Sequence, residues 1–285
     1  MTQGIEPDTL SVRHRFGSRL SGEGVEIGPG HAPFPVPGGV KVKVRYIDRW
    51  EPAENSSLFP ELGDSAGFPK PDIVANLDVE RLEALDDESQ DFVIASHILE
   101  HLANPLAMIV EIDRVLKVDG LVVLLLPDRH RTFDHTRTPT PLAHLVEEYR
   151  RDVREVDDAH VLDFIVASVR ASGDDRDVET LLKERTAEEI ALHRRRSVHA
   201  HVWDMHEFTD VLGYAGSELG IRWKVLDAAE AGGEGTFGNE FGWLFSKSAC
   251  RAREGDPRDR RTTRPTTGRT RLSRFRRRRG GGRLS

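Results

Sequence analysis

Two short apolar runs, 92–95 and 121–126, bracket a segment in which Leu99, Leu102, Leu106, Ile109, Val110, Ile112 and Val115 recur at spacings of three and four. Both runs are bounded by turn residues and are too short for helices, so they read as buried strands. The spacing between them predicts an amphipathic helix, stopped by Lys117-Val118-Asp119-Gly120. A strand, a helix and a strand in that order need a crossover connection, which is right-handed and implies a parallel sheet with helices on its faces. Runs at 25–27, 40–47 and 73–77 supply further strands upstream. Ligands of such sheets sit beyond the carboxyl ends of the strands, so the residues that follow each run are the first candidates for function.

Downstream the pattern changes. Residues 139–149 predict a short helix, and the highly charged stretch 150–196 carries helical patterning around 161–169 and 178–191, so a helical cap is expected over about 139–202. Asp204, with Glu207 three residues on, predicts a capping box at the start of a helix reaching about Leu219. Runs at 221–226 and 241–245 then read as two closing strands around a glycine-rich turn at 232–238, and so short a connection predicts that they are antiparallel. One domain is expected over 1–248.

The net charge of −7 hides an asymmetry: residues 251–285 carry fourteen arginines and three acidic residues, +11 in all, which leaves −18 on 1–250. An acidic body argues against a phosphate-tracking groove in the globular part; only the tail suits a nucleic acid or another polyanion. Leu272, Phe275 and Leu284 are the tail's only large apolar residues, so 249–285 is expected to be disordered and dispensable for the core. With Cys250 alone no intramolecular disulfide forms, and residues 1–20 lack the apolar stretch of a secretory signal, so a cytoplasmic protein is the expectation. The longest aliphatic run, 121–126, is far short of the roughly 20 residues that span a bilayer.

The segment Val25-Glu26-Ile27-Gly28-Pro29-Gly30 places two glycines directly after the first strand, where missing side chains let backbone N–H groups approach a ligand. The second strand ends in Asp48, twenty residues after Gly28, where a carboxylate can accept both hydroxyls of a ribose. Together these predict a nucleoside cofactor. A dinucleotide fingerprint needs a third glycine where Pro33 stands, followed here by Pro35 and Pro37, which opposes a pyrophosphate seat. Glu26 beside the loop favours a cationic ligand such as S-adenosylmethionine.

These residues resemble the class I S-adenosylmethionine-dependent methyltransferases, and more narrowly a bacterial type 11-like subgroup. Glu26-x-Gly28-x-Gly30 matches the cofactor loop and Asp48 the ribose acid. The run 85–94 matches the turn into the fourth strand, 96–102 the start of the next helix, and 114–120 the run before strand five, with Asp119-Gly120 where the family usually has proline-glycine. The resemblance implies a Rossmann-like, seven-stranded, mostly parallel α/β sheet with an antiparallel last strand, to which the patterning of 139–202 adds a helical insertion after strand five. It also implies S-adenosylmethionine as cofactor and places Leu77 and Asp78 near the adenine. For Asp78 a helix N-cap is the other reading.

His97, Glu100 and His101 are expected on one face of a helix start near the sheet's carboxyl end. His97 can act as a general base toward an acceptor hydroxyl. Alternatively His97, Glu100 and His101 can converge on a divalent metal, similar to the metal helix of certain metal-dependent RNA and quinone methyltransferases, although those begin the motif with glutamate. A third reading gives Glu100 and His101 internal hydrogen bonds that support the cofactor pocket. After strand five, Pro127, Asp128, Phe133 and Asp134 match a Pro-Asp-x-Arg-x-x-Phe-Asp run of the type 11-like subgroup, with His130 in place of its arginine. Asp128 and His130 are the further acid–base candidates. Arg129, Arg131 and Arg137 can neutralise an anionic acceptor or pair with the acidic body. His193, His199 and His201 cluster before the capped helix, where 199 and 201 can face one side of a short strand.

The expected reaction is methyl transfer to an oxygen or nitrogen of a small-molecule or glycosidic acceptor. Rival readings are a nicotinamide-dependent oxidoreductase, an RNA-modifying or nucleic-acid-binding protein using the basic tail, and a noncatalytic cofactor-binding module.

Overall fold

The structure is a computed structural model that describes residues 11–37, 41–62, 67–233 and 238–249. The arginine-rich tail lies outside them, as does part of the turn expected at 232–238. Seven strands form one sheet: β1 (Gly22–Ile27), β2 (Val42–Asp48), β3 (Ile73–Val74), β4 (Gln90–Ser96), β5 (Leu116–Pro127), β6 (Trp223–Ala229) and β7 (Glu240–Lys247). Their order is β3-β2-β1-β4-β5-β7-β6. β1, β2, β3, β4 and β5 pair in parallel, and β7 inserts antiparallel between β5 and β6, as the hairpin predicts. The order reverses between β1 and β4, so the carboxyl ends of those two strands flank the crevice in which ligands of such sheets bind.

Alternation along the central strands explains the two layers. Val93, Ala95, Val122, Leu124 and Leu126 turn to one face, where they pack with residues of α3 (Pro105–Val115) and α8 (Met205–Glu218). Phe92, Ile94, Val123 and Leu125 turn to the other, against Val12 and Phe16 of α1 (Val12–Gly17) and Phe34 of the loop after β1. The strands are buried on both faces and read as continuous apolar runs for that reason.

Three expectations need correction. The helix expected from Leu99 onward is broken: 99–101 form a 3₁₀ turn, and α3 begins only at Pro105, capped by the Asn104 side chain, which accepts a hydrogen bond from Ala107 N. Proline disfavours a helical residue before it and suits the first helical position, so the Asn104-Pro105 pair sets the boundary. The expected helix stop at 117–120 is instead the first part of β5, where Asp119 has φ +64° and the pairing to β4 shifts register between Gln90 and Phe92. The stretch 178–191 is two helices, α6 (Val178–Lys183) and α7 (Ala187–Arg195), because Thr186 caps the second through Glu189 N.

The insertion after β5 comprises α4 (Leu142–Arg150), α5 (Asp158–Ala171), α6 and α7, and returns through an extended strap at 198–203. Val161, Ile165, Val198 and Ala200 give it a small core of its own, which reaches the main body at Ala103. Arg137 fastens the strap from within: its guanidinium donates to Asp134, Asp163, His199 O and Ala200 O. Arg129 forms a two-pronged pair with Glu207, so both arginines serve the fold's own acidic groups. The capping box at Asp204 and Glu207 is present, and α8 ends at Glu218.

Candidate active site

A cavity of about 390 Å³ opens at the carboxyl ends of β1, β2 and β4. That size suits a nucleoside cofactor. Its floor is the loop after β1, with Gly28 at φ +62° and Gly30 at φ +55°. A Cβ on Gly28 would stand 2.4 Å from Ile98 Cδ1, whereas one on Gly30 would meet nothing within 4 Å and would enter open space at the cavity wall. The first glycine therefore lets the loop pack and the second leaves room above it.

Asp48 ends β2 in the cavity wall, its Oδ1 accepting from Arg49 N at 2.6 Å. Burial raises its pKa, against hydrogen bonds that favour the charged form. The Arg49 guanidinium lies 4.9 Å from the ring centre of Trp50, and both residues line the same wall. Leu77 and Asp78 line it too. Asp78 is not a helix N-cap: its Oδ1 accepts from Ala103 N at 2.8 Å, and burial pushes its pKa to about 6. Arg195, Arg196 and Ser197 close the cavity from the end of α7. These are the residues that would hold S-adenosylmethionine: backbone around two glycines, Asp48 at the tip of β2 and one further acid, Asp78, about a partly apolar chamber.

Glu26 stands outside the lining. It is 2% exposed, and its Oε1 accepts from Phe34 N at 2.8 Å, so it ties the glycine loop back onto β1. Oε2 is buried without a hydrogen bond. Burial pushes the carboxyl up to about 7. A carboxyl raised in the folded state stabilises fully below its unfolded pKa and loses that contribution as pH rises through the folded value, a change on the order of 3 kcal/mol for this shift. Half-buried His101 and fully buried His201, whose pKa values are lowered by desolvation, act with the opposite sign below about 6.5. The clean readout is therefore a difference: Glu26→Gln should gain stability relative to the parent as pH rises from 5 to 8 in urea melts of the ligand-free protein. A constant difference across that range would contradict the burial of a protonated Glu26.

His97 follows β4 with φ +53°, a conformation that a non-glycine residue holds only where its surroundings enforce it. The turn points its ring toward β7 rather than along a helix. Its Nε2 is 2.8 Å from Glu240 Oε2, and Arg13 of α1 donates to both oxygens of Glu240, at 3.1 and 2.7 Å. Burial alone would raise Glu240, but the hydrogen bonds from His97 and Arg13 outweigh it and bring the carboxyl down to about 2. An ionised Glu240 accepts Nε2–H and fixes the ring, leaving Nδ1, which lies 3.7 Å from Glu100 Oε1, too far for a hydrogen bond. Sequence reading missed Arg13 and Glu240, which lie 227 residues apart.

Glu100 is fully buried, and neither carboxylate oxygen has a hydrogen-bond partner, so the internal bonds expected of it are absent. His101 does make one, between Nδ1 and Val198 O at 2.9 Å. Candidate metal-ligand atoms of Glu100, His101 and His199 lie within 4.8 Å of one another. His199 Nδ1 is 2.6 Å from Asp134, a carboxylate of the kind that orients a ligating imidazole. The structure thus places His199 with Glu100 and His101, while the Nε2 of His97 is engaged by Glu240. Asp128 and His130 sit outside the cavity lining: Asp128 caps the turn at 129–131 through His130 N, and exposed His130 faces Asp204 at 3.4 Å. His199 and His201 do not share one site, since His201 is directed to α4 and α5.

Residues 58–124 match a family model described as a methyltransferase domain, a span that runs from the end of α2 (Pro52–Leu58) into β5 and leaves out the glycine loop and Asp48. No curated protein matches the chain. Similar solved structures include a SAM-dependent methyltransferase from Aquifex aeolicus, 16% identical over 86% of this chain and 100% of that one, TM-score 0.41. Another is the CurJ carbon methyltransferase, 13% identical over 86% of this chain and 50% of that one, TM-score 0.40. A third is a SAM-dependent methyltransferase from Thermotoga maritima, described as a possible histamine N-methyltransferase, 18% identical over 80% and 84%, TM-score 0.41. These likenesses are too distant to bear on the acceptor. Among the described residues no helix is long and apolar enough to cross a membrane. The matched segment, residues 58–124, is similar to a methyltransferase domain and lies in a seven-stranded sheet with β7 alone reversed, the Rossmann-like arrangement expected from the resemblance to class I S-adenosylmethionine-dependent methyltransferases.

Proposed function

We propose that this enzyme methylates an oxygen or nitrogen of a small-molecule or glycosidic acceptor, with His97 as the general base. The observation that carries this reading is the Arg13, Glu240 and His97 chain, which ends on the cavity wall with Nδ1 as the ring nitrogen not engaged by Glu240. When bound, S-adenosylmethionine supplies an activated methyl group. Gly28, Gly30, Asp48, Leu77 and Asp78 bind and orient it, with Glu26 holding their loop. Holding two reactants in line provides several kcal/mol of the rate enhancement, and a base that removes the acceptor proton adds to it. Asp128 and His130, outside the lining, are given no step.

The test incubates the full chain with S-adenosylmethionine and a panel of hydroxylated, amino and glycosylated metabolites, reading S-adenosylhomocysteine and locating the new methyl by mass spectrometry. A product methylated on oxygen or nitrogen is expected. Methylation only at carbon, or turnover only with RNA, would contradict the proposal.

A second reading rests on Glu100, whose buried carboxylate lacks any hydrogen bond. Here Glu100, His101 and His199 hold a divalent ion that lowers the pKa of an acceptor hydroxyl. It requires Glu100→Gln to abolish turnover as loss of the ion does; the general-base reading requires Glu100→Gln to stay active.

A further inference from the structure

A second cluster lies in the insertion, and none of its members lines the cofactor cavity. His144 and Glu148 stand one turn apart on α4, His160 is in the first turn of α5, and His201 is on the strap. His144 Nε2 is 3.0 Å from His160 Nε2 and 3.1 Å from Glu148 Oε1. His160 Nε2 is 3.5 Å from that same oxygen, and His201 Nε2 is 3.0 Å from Glu148 Oε2.

Hydrogen bonding accounts poorly for this arrangement. His201 is fully buried, yet neither ring nitrogen has a hydrogen-bond partner, and Glu148 Oε2 is likewise unpaired. His201 Nε2 and Glu148 Oε2 are close but not aligned for a bond. Buried polar groups are normally satisfied, and leaving several unpaired at one point is costly. A cation supplies what is missing. Zinc–nitrogen and zinc–oxygen bonds of about 2.0–2.1 Å in a tetrahedron set neighbouring ligand atoms roughly 3.3 Å apart. The three separations among His144 Nε2, His160 Nε2 and Glu148 Oε1 bracket that distance, and one ligand atom from each of the four residues lies within 4.8 Å of the others.

The surroundings suit the same purpose. Asp157 Oδ1 is 2.7 Å from His160 Nδ1, so Nε2 is the nitrogen turned toward the cluster. Metal-bound histidines commonly have such a carboxylate behind them. Asn104 Nδ2 donates to Glu148 O, fixing that turn of α4 to the start of α3. Three imidazoles and one carboxylate favour zinc, cobalt or nickel over magnesium or calcium, which prefer oxygen.

We propose that His144, Glu148, His160 and His201 form a binding site for a divalent transition-metal ion of the zinc class. Four protein ligands fill a tetrahedron, so the site is structural: it clamps α4, α5 and the strap together. The strap carries His199, and His201 N donates to Glu100 O at 3.1 Å, so the ion also anchors the backbone next to His101, which lines the cofactor cavity. The proposal stands whether or not the general-base reading holds.

Cobalt(II) tests it by spectroscopy, independently of activity. The full chain carrying Glu100→Gln, which disables the Glu100, His101 and His199 cluster, is stripped with chelator and titrated with cobalt. One equivalent should produce the intense visible bands of a tetrahedral centre, and zinc should bleach them. Adding His160→Ala or Glu148→Gln should abolish the bands. Asp157→Asn, which still caps α5, should weaken cobalt at least about tenfold, the usual scale for a residue behind a ligand. Should a double variant lose its circular dichroism spectrum, His144→Ala replaces it, because that ring is 41% exposed and carries the least packing. No tetrahedral bands in the Glu100→Gln chain, or bands that survive loss of His160 and of His144, would overturn the proposal.

Discussion

Replacing His97 by alanine should lower turnover by about a hundredfold or more, the usual scale of general-base assistance, while affinity for S-adenosylhomocysteine stays nearly unchanged. The loss should appear equally in kcat and in kcat/KM, because the imidazole acts on the acceptor proton in the transition state. His97 has φ +53°, so alanine there also tests a strained backbone. His97→Asn separates the two effects, since asparagine tolerates that conformation but supplies no base. Both variants should be equally slow, and both should keep the parent's circular dichroism. Glu240→Gln should be intermediate, because it leaves the imidazole in place while removing the charge that Arg13 and His97 share. An active His97→Asn would end the general-base reading and leave Glu100, His101 and His199 as the groups to pursue.

The second large effect is expected at Gly28. Valine there must adopt φ +62°, an outlier for a β-branched residue, and its Cβ would stand 2.4 Å from Ile98 Cδ1. Strain of about 1–3 kcal/mol is set against the loop geometry that binding needs, so affinity for S-adenosylhomocysteine should drop by roughly tenfold to a hundredfold or more, and the melting temperature should fall as well. Gly30→Ala should behave differently. Its added methyl enters open space, so it should weaken the cofactor with a smaller change in melting temperature. Equal effects of both variants on stability and on binding would show that the loop does not divide its roles in this way.

Local patterns made much of this legible from sequence. Strands buried on both faces appear as uninterrupted apolar runs, and the capping box at Asp204 and Glu207 is written in adjacent residues. The antiparallel β7 follows from a short connection. Where the reading failed, tertiary geometry or an overlooked local signal decided. Asn104-Pro105 marks the true start of α3, yet the apolar spacing runs on through Leu99 and Leu102 and masks it. His97 was placed on a helix it does not join; its positive φ turns it to Glu240, a partner 143 residues away that no spacing rule can name. The His144, Glu148, His160 and His201 cluster draws on three separate elements of the insertion, of which only the pairing of His144 with Glu148 at i and i+4 is local. Glu26 was assigned to the cofactor from its place beside the glycines, whereas its side chain turns back to Phe34 N and shapes the loop from behind.

The most direct measurement is calorimetric titration of the full chain with S-adenosylhomocysteine and, separately, with NAD. If the cavity at Gly28, Gly30, Asp48 and Asp78 is the seat of S-adenosylmethionine, the first titration gives one saturable site per chain that Gly28→Val weakens, and the second gives no heat of binding. Saturable binding of NAD with none of S-adenosylhomocysteine would contradict the account.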